Sequence, residues 1–120
     1  MVIWNETTGQ PIVQSVVRCD TFWQRGRGLM FRSRHAIAGG CAYLFVETQE
    51  SIAHTAIHML FVWFPIAVIW LNRERRVVDK VLARPFRLWY APRQPALYYL
   101  EGEPSLLEQV RIGDQLEFRG

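Results

Sequence analysis

The sequence predicts a mostly β fold in a single domain spanning 1–120, a sandwich or barrel of jelly-roll type with one or two short helices. Three observations carry this. The stretch from Ser51 to Asn72 contains no Lys, Arg, Asp or Glu and is followed at once by Arg73-Glu74-Arg75-Arg76. Its length would suit a membrane helix, which needs about 20 mostly apolar residues. However, it holds His54, Thr55, His58 and Pro65, and its apolar members are largely Ile, Val, Phe and Trp, which favour strands. Two buried strands meeting near Pro65 account for the missing charge, because proline is tolerated at a strand start or bulge. Secondly, short apolar runs recur along the chain between Gly, Pro and Asn clusters. Thirdly, half of the 120 residues are apolar and no long polar tract interrupts them, so one core forms and a second domain has no room.

The elements follow in order. Val2 to Trp4 and Ile12 to Cys19 read as two strands around Asn5 to Gln10, where Thr7-Thr8-Gly9 supplies turn chemistry, giving an edge hairpin. Thr21-Phe22-Trp23-Gln24 has capping-box spacing, and Gly26 and Gly28 limit the helix it starts to a turn or two. After Gly39-Gly40, Cys41 to Val46 is a short strand, and Glu47 to Ser51 is a polar corner. The uncharged run then supplies strands over Ala56 to Val62 and Ile66 to Leu71, with a turn at Asn72 to Arg75 and a further strand over Arg76 to Leu82. Pro85, Pro92 and Pro95 punctuate a loop carrying Trp89 and Tyr90, after which Ala96 to Glu101 resumes the strand pattern. Glu103 to Gln109 suits a short helix with Pro104 in its first turn, and Val110 to Phe118 closes the domain around Gly113-Asp114.

Composition narrows function only a little. The formal net charge of +3 is too small to demand an anionic polymer as partner. Thirteen arginines stand against the single Lys80, a bias that G+C-rich coding explains as well as bidentate anion capture does. Cys19 and Cys41 are too few and too far apart for a disulfide framework or a zinc site, although a single bridge between neighbouring strands stays open. The opening MVIWNETTGQP does not resemble a secretory signal, so a cytoplasmic protein with free thiols is expected.

Candidate chemistry is sparse. Glu50, His54 and His58 recur every fourth residue, a zinc-chelating spacing on a helix. On the strand predicted here the two histidines would stand roughly 13 Å apart, too far to share an ion, so no metal or other cofactor is expected. Cys41, after two glycines, could occupy a strained turn with a lowered pKa, but the ordinary reading is a small buried hydrophobe. Gln24 to Gly28 offers two arginines and two glycines at a helix end of the wrong polarity for anions. Arg25, Arg27, Arg32 and Arg34 beside Phe22, Trp23 and Phe31 invite base stacking, yet aromatics in the core and solvated arginines explain them equally, and the low net charge weighs against nucleic acid.

The run Thr21 to Arg32 (TFWQRGRGLMFR), then Gly39-Gly40, Pro65-Ile66, Leu100-Glu101 and Ile112-Gly113-Asp114, resembles the family known as domain of unknown function 192 over nearly the whole chain. The most specific element is Gly28-Leu29-Met30-Phe31-Arg32. The resemblance implies a small, mostly β domain and no established activity. It is imperfect. Where such proteins commonly read W-M-K-N-T before a Pro-Leu-Asp or Pro-Ile-Asp, this chain has His58, Phe61 and Ala67 in place of the tryptophan, the asparagine and the aspartate. A polar site built on that asparagine and aspartate would be partly lost, or the departures mark a different pocket or an apolar surface for a partner.

The sequence therefore points to a binding or interaction module for a small molecule or protein. Its candidate ligand-binding residues are Arg32, His58 and Glu101, with no catalytic or metal-ligating residue assigned. Arg32 is expected to pair with Glu101. Two alternatives stand beside this reading: an enzyme in which Arg32 holds an anion while His58 or Glu101 moves a proton, and a protein anchored in a membrane through 51–72.

Overall fold

The computed structural model describes residues 1–19, 29–30 and 32–120. They form two sheets. The larger is built from β3 (Ser15–Cys19), β4 (Cys41–Ser51), β5 (Ile66–Leu71), β6 (Val77–Ala83) and β7 (Ala96–Gly102) in the order β3-β4-β7-β5-β6. The smaller places β1 (Val2–Asn5) between β2 (Gln10–Val13) and β8 (Leu116–Arg119). Neighbours are antiparallel except β3 and β4, which run parallel. Two short 3₁₀ helices complete the described chain, η1 (Arg34–Ile37) and η2 (Pro104–Gln109). The fold is mostly β, as expected, but the two sheets do not close into a barrel, and a parallel pair sets it apart from an all-antiparallel jelly roll.

The uncharged run is explained by burial on both sides. All six residues of β5 are buried. Ile66, Val68 and Trp70 face one core with Phe45, Met59 and Tyr99, while Ala67, Ile69 and Leu71 face another with Ile3, Leu44, Leu100 and Leu116. A strand covered on both faces reads as a continuous apolar run. The small sheet and η2 cover one face, while the loops carrying Ile57, Met59, Val62, Phe64 and Tyr90 cover the other. Trp70 anchors the second covering, its indole Nε1 donating to the Thr55 carbonyl at 2.7 Å. No helix among the described residues is long and apolar enough to cross a membrane.

Four expectations need correction. Ile12 to Cys19 is not one strand, because the chain breaks at Gln14 so that β2 joins the small sheet and β3 the large one. The polar corner at Glu47 to Ser51 is the continuation of β4, solvated but still extended. Ala56 to Val62 is not a strand either. Only the Ile57–Tyr90 bridge is β-paired there, and Phe61 takes a left-handed φ of 57° that no strand contains. The distance argument against a shared zinc ion at His54 and His58 therefore rested on a strand that is absent; among the described residues no group of three His, Cys, Asp or Glu could hold a metal ion. The capping box at Thr21 to Gln24 lies outside the described residues.

The Gly113-Asp114 signature is structural. Asp114 Oδ2 accepts from Asn5 Nδ2 at 2.8 Å and from the Arg111 amide at 2.9 Å, while the Gly113 amide and Asp114 carbonyl both bond to Val77. Both side chains are buried, so this network ties the small sheet to β6. Lys80 donates to the Leu107 and Val110 carbonyls at 2.7 and 2.8 Å, satisfying the open C-terminal end of η2. Gly102 lets η2 close onto the sheet, since a Cβ there would stand 3.0 Å from Leu106 Cδ2.

Candidate functional site

Glu101 is the unusual group. It lies in β7, near the middle of the large sheet, opposite Tyr43 of β4 on one side and Val68 of β5 on the other. Alternation places it on the face of Tyr99, so it points into the core of Tyr43, Phe45 and Val68. Only 6% of its surface is exposed. Burial penalises the charged form, and the carboxyl pKa is pushed up to about 8. At neutral pH it is thus mainly a neutral acid able to donate a proton in a hydrogen bond.

The surroundings are aromatic. Phe45 and Tyr99 stack with centroids 4.6 Å apart and planes 5° from parallel, one register step along from Glu101. The Arg32 guanidinium carbon lies 5.5 Å from the Tyr43 ring centroid, within cation–π range. Leu29 fixes its approach: that side chain is buried in the same core, and the Arg32 amide donates to the Leu29 carbonyl at 3.1 Å. The spacing of leucine and arginine in the Leu29-to-Arg32 motif thus delivers a cation to the ring that neighbours Glu101.

The three residues proposed from sequence are therefore placed unequally. Arg32 and Glu101 share Tyr43 as a neighbour. The predicted ion pair between them is not among the described ones: Arg32 is exposed and lies over the Tyr43 ring, whereas Glu101 is buried. His58 is exposed, its Nδ1 accepting from the Leu60 amide at 3.2 Å, and no described hydrogen bond joins it to the other two. Tyr43, Phe45 and Tyr99 were missed; only their place in otherwise apolar strands could have suggested them.

The departures from the family pattern acquire a physical meaning. Ala67 faces the second core, on the opposite side of the sheet from Glu101, so an aspartate there would not join a site containing Glu101. Phe61 occupies a left-handed backbone position that asparagine tolerates far better than phenylalanine, which explains an asparagine there without any ligand.

A concavity of about 140 Å³ opens on the face away from Glu101 between β2, the start of β4 and η2. Cys41, Glu103, Ser105 and Gln109 supply its polar lining, and Glu103 Oε1 accepts from the Gly40 amide at 3.3 Å. Cys41 is half-buried and Cys19 buried, and neither is in a disulfide. A bridge is precluded by register: Cys19 pairs with Phe45 and Cys41 with Ser15, at opposite ends of the β3–β4 ladder.

The two-sheet β fold that carries this site is shared with proteins of unassigned activity. The chain belongs to the domain of unknown function 192 family, described as "Uncharacterized ACR", whose model matches residues 3–118. An uncharacterised UPF0127 protein of Thermococcus kodakarensis is 39% identical over 113 residues, covering 92% of this chain and 68% of the relative. One from Pyrococcus furiosus is 36% identical over 116 residues, covering 95% of each. Among solved structures, a protein of unknown function from Novosphingobium aromaticivorans superposes with a TM-score of 0.84 at 20% identity, over 98% of this chain and 84% of that one. Another, from Sinorhizobium meliloti and described as a candidate transcription regulator, superposes with a TM-score of 0.82 at 21% identity, over 97% and 89%. At such identities the likeness carries the fold and no activity.

Proposed function

We propose that this domain is a small-molecule binding module whose recognition group is the neutral carboxyl of Glu101. The observation that carries the reading is a carboxyl in mid-sheet, set among aromatic and apolar side chains, whose burial pushes its pKa up to about 8. A ligand carbonyl or carboxylate oxygen would accept from Glu101. The same ligand's anionic group would meet Arg32, and its flat apolar portion would lie against Tyr43. His58 has no role in this site.

Ligand-observed NMR with a library of small aromatic and aliphatic carboxylates tests the reading. Hits should persist in Glu101→Gln, whose amide still donates, and should vanish in Glu101→Leu while that variant stays folded. Hits that survive Glu101→Leu at unchanged affinity would place binding elsewhere.

A further inference from the structure

The loops 57–65 and 84–90 build a surface that the Glu101 site does not use. They are stitched together by the Ile57–Tyr90 bridge, by the Met59 amide donating to the Arg87 carbonyl at 2.8 Å, and by the Phe86 amide donating to the Met59 carbonyl at 2.9 Å. Their outward side chains are apolar. Trp63 is 56% exposed, Leu88 65% and Trp89 62%, with Leu60, Phe61 and Phe86 between 37% and 45%. Trp63 packs against both phenylalanines, 6.2 Å from Phe61 and edge-on to Phe86 at 5.4 Å. Phe61 and Phe86 adopt φ of 57° and 63°, a left-handed conformation that bulky residues rarely take and that presents both rings outward. The charges in these loops are of one sign. No Asp or Glu occurs over 51–72 or 84–100, whereas Arg84 and Arg87 are exposed within the second loop.

We propose that these two loops dock the domain peripherally on an anionic lipid surface. Tryptophan, phenylalanine and leucine side chains partition into the boundary between headgroups and acyl chains, and flanking arginines add attraction to acidic headgroups. Charge complementarity selects an anionic partner, and the exposed aliphatic groups select lipid over single-stranded nucleic acid, whose bases gain from aromatic faces but little from Leu60 and Leu88. The loops do not insert as a span; they anchor an otherwise soluble fold.

Sedimentation with vesicles of phosphatidylcholine and phosphatidylserine in equal parts tests this, beside vesicles of phosphatidylcholine alone and a single-stranded oligonucleotide. The expected result is binding to the mixed vesicles, much weaker binding to phosphatidylcholine, and a blue shift of tryptophan emission on binding. Replacing Arg84 and Arg87 by Gln should lower the partition coefficient about fivefold for each arginine removed. Trp63→Ser with Trp89→Ser should abolish binding while far-UV circular dichroism is unchanged; because both side chains are exposed, these variants are expected to fold. No binding to the mixed vesicles, binding indifferent to both sets of variants, or binding only to the oligonucleotide would overturn the proposal.

Discussion

The side-chain amide of Asn5, at the end of β1, donates to the Asp114 carboxylate across 2.8 Å in a buried position 109 residues away in sequence. Asn5 also donates to the Gln109 carbonyl and accepts from the Thr7 and Thr8 amides, so one fully buried residue joins three chain segments. Asp114→Ala leaves the Asn5 amide and the Arg111 N–H short of an acceptor, and a loss of about 1–3 kcal/mol is expected for each buried group so exposed. Asn5→Ala should cost a similar amount. The double variant should lose clearly less than the sum, because the two residues share one contact. Denaturant titration of the four proteins measures this, and strict additivity would contradict the contact.

That network also shows how much the sequence disclosed. Gly113-Asp114 was visible as a motif, but its partner Asn5 was read only as part of a hairpin turn, since nothing local distinguishes a buried amide from a solvated one. The strand at 66–71 was legible because burial on both faces leaves a continuous apolar run, and those at 77–83 and 96–102 because β-branched, aromatic and leucine residues dominate them between turn signals. The division of Ile12 to Cys19 between two sheets was not, for the change of sheet occurs at Gln14 without glycine or proline to mark it. In the candidate site, Arg32 and Glu101 were expected to form a pair, and each neighbours Tyr43 instead. Opposite charges in a sequence suggest a pair, whereas the contact the register and ring geometry give each of them is with Tyr43.

Glu101 should make stability fall as pH rises. Its folded-state pKa of about 8 lies above the ordinary value of 4.5, so between these limits the unfolded chain has lost the proton while the folded protein retains it. The contribution declines with a slope of at most about 1.4 kcal/mol per pH unit, is undiminished below the lower limit, and levels off above the upper one. Melting curves of wild type and Glu101→Gln across pH 4.5 to 8 isolate this group. The variant should gain on the wild type steadily as pH increases, and parallel curves would show that the carboxyl is solvated.

Arg32 and Glu101 should behave as independent sites in a stability cycle. Arg32 is exposed and lies over the Tyr43 ring, so losing that contact in Arg32→Met should cost about 1 kcal/mol, the scale of an exposed cation–π contact. Glu101→Gln removes a buried ionisable group and should stabilise at alkaline pH. Losses and gains in the double variant should add within about 0.5 kcal/mol. A larger coupling would restore the ion pair expected from sequence.

The left-handed backbone at Phe61 yields the sharpest contrast. A side chain with a branched Cβ is a true outlier at positive φ, whereas asparagine enters that region readily. Phe61→Asn gives up a half-exposed ring that touches Trp63 but relieves backbone strain of about 1–2 kcal/mol, so its stability should equal or exceed that of wild type. Phe61→Val gives up the same ring and adds strain. The two variants should differ by about 1–2 kcal/mol in favour of Asn, although Val is the more apolar. Chemical denaturation of both, with the corresponding pair at Phe86, reads the difference directly, and Phe86 should repeat the order because its φ is 63°. Equal stabilities would mean that neither residue is held in the left-handed region. If Asn wins at both positions, the wild-type chain keeps two strained phenylalanines at a cost in stability, which is the behaviour of residues retained for what they present to a partner.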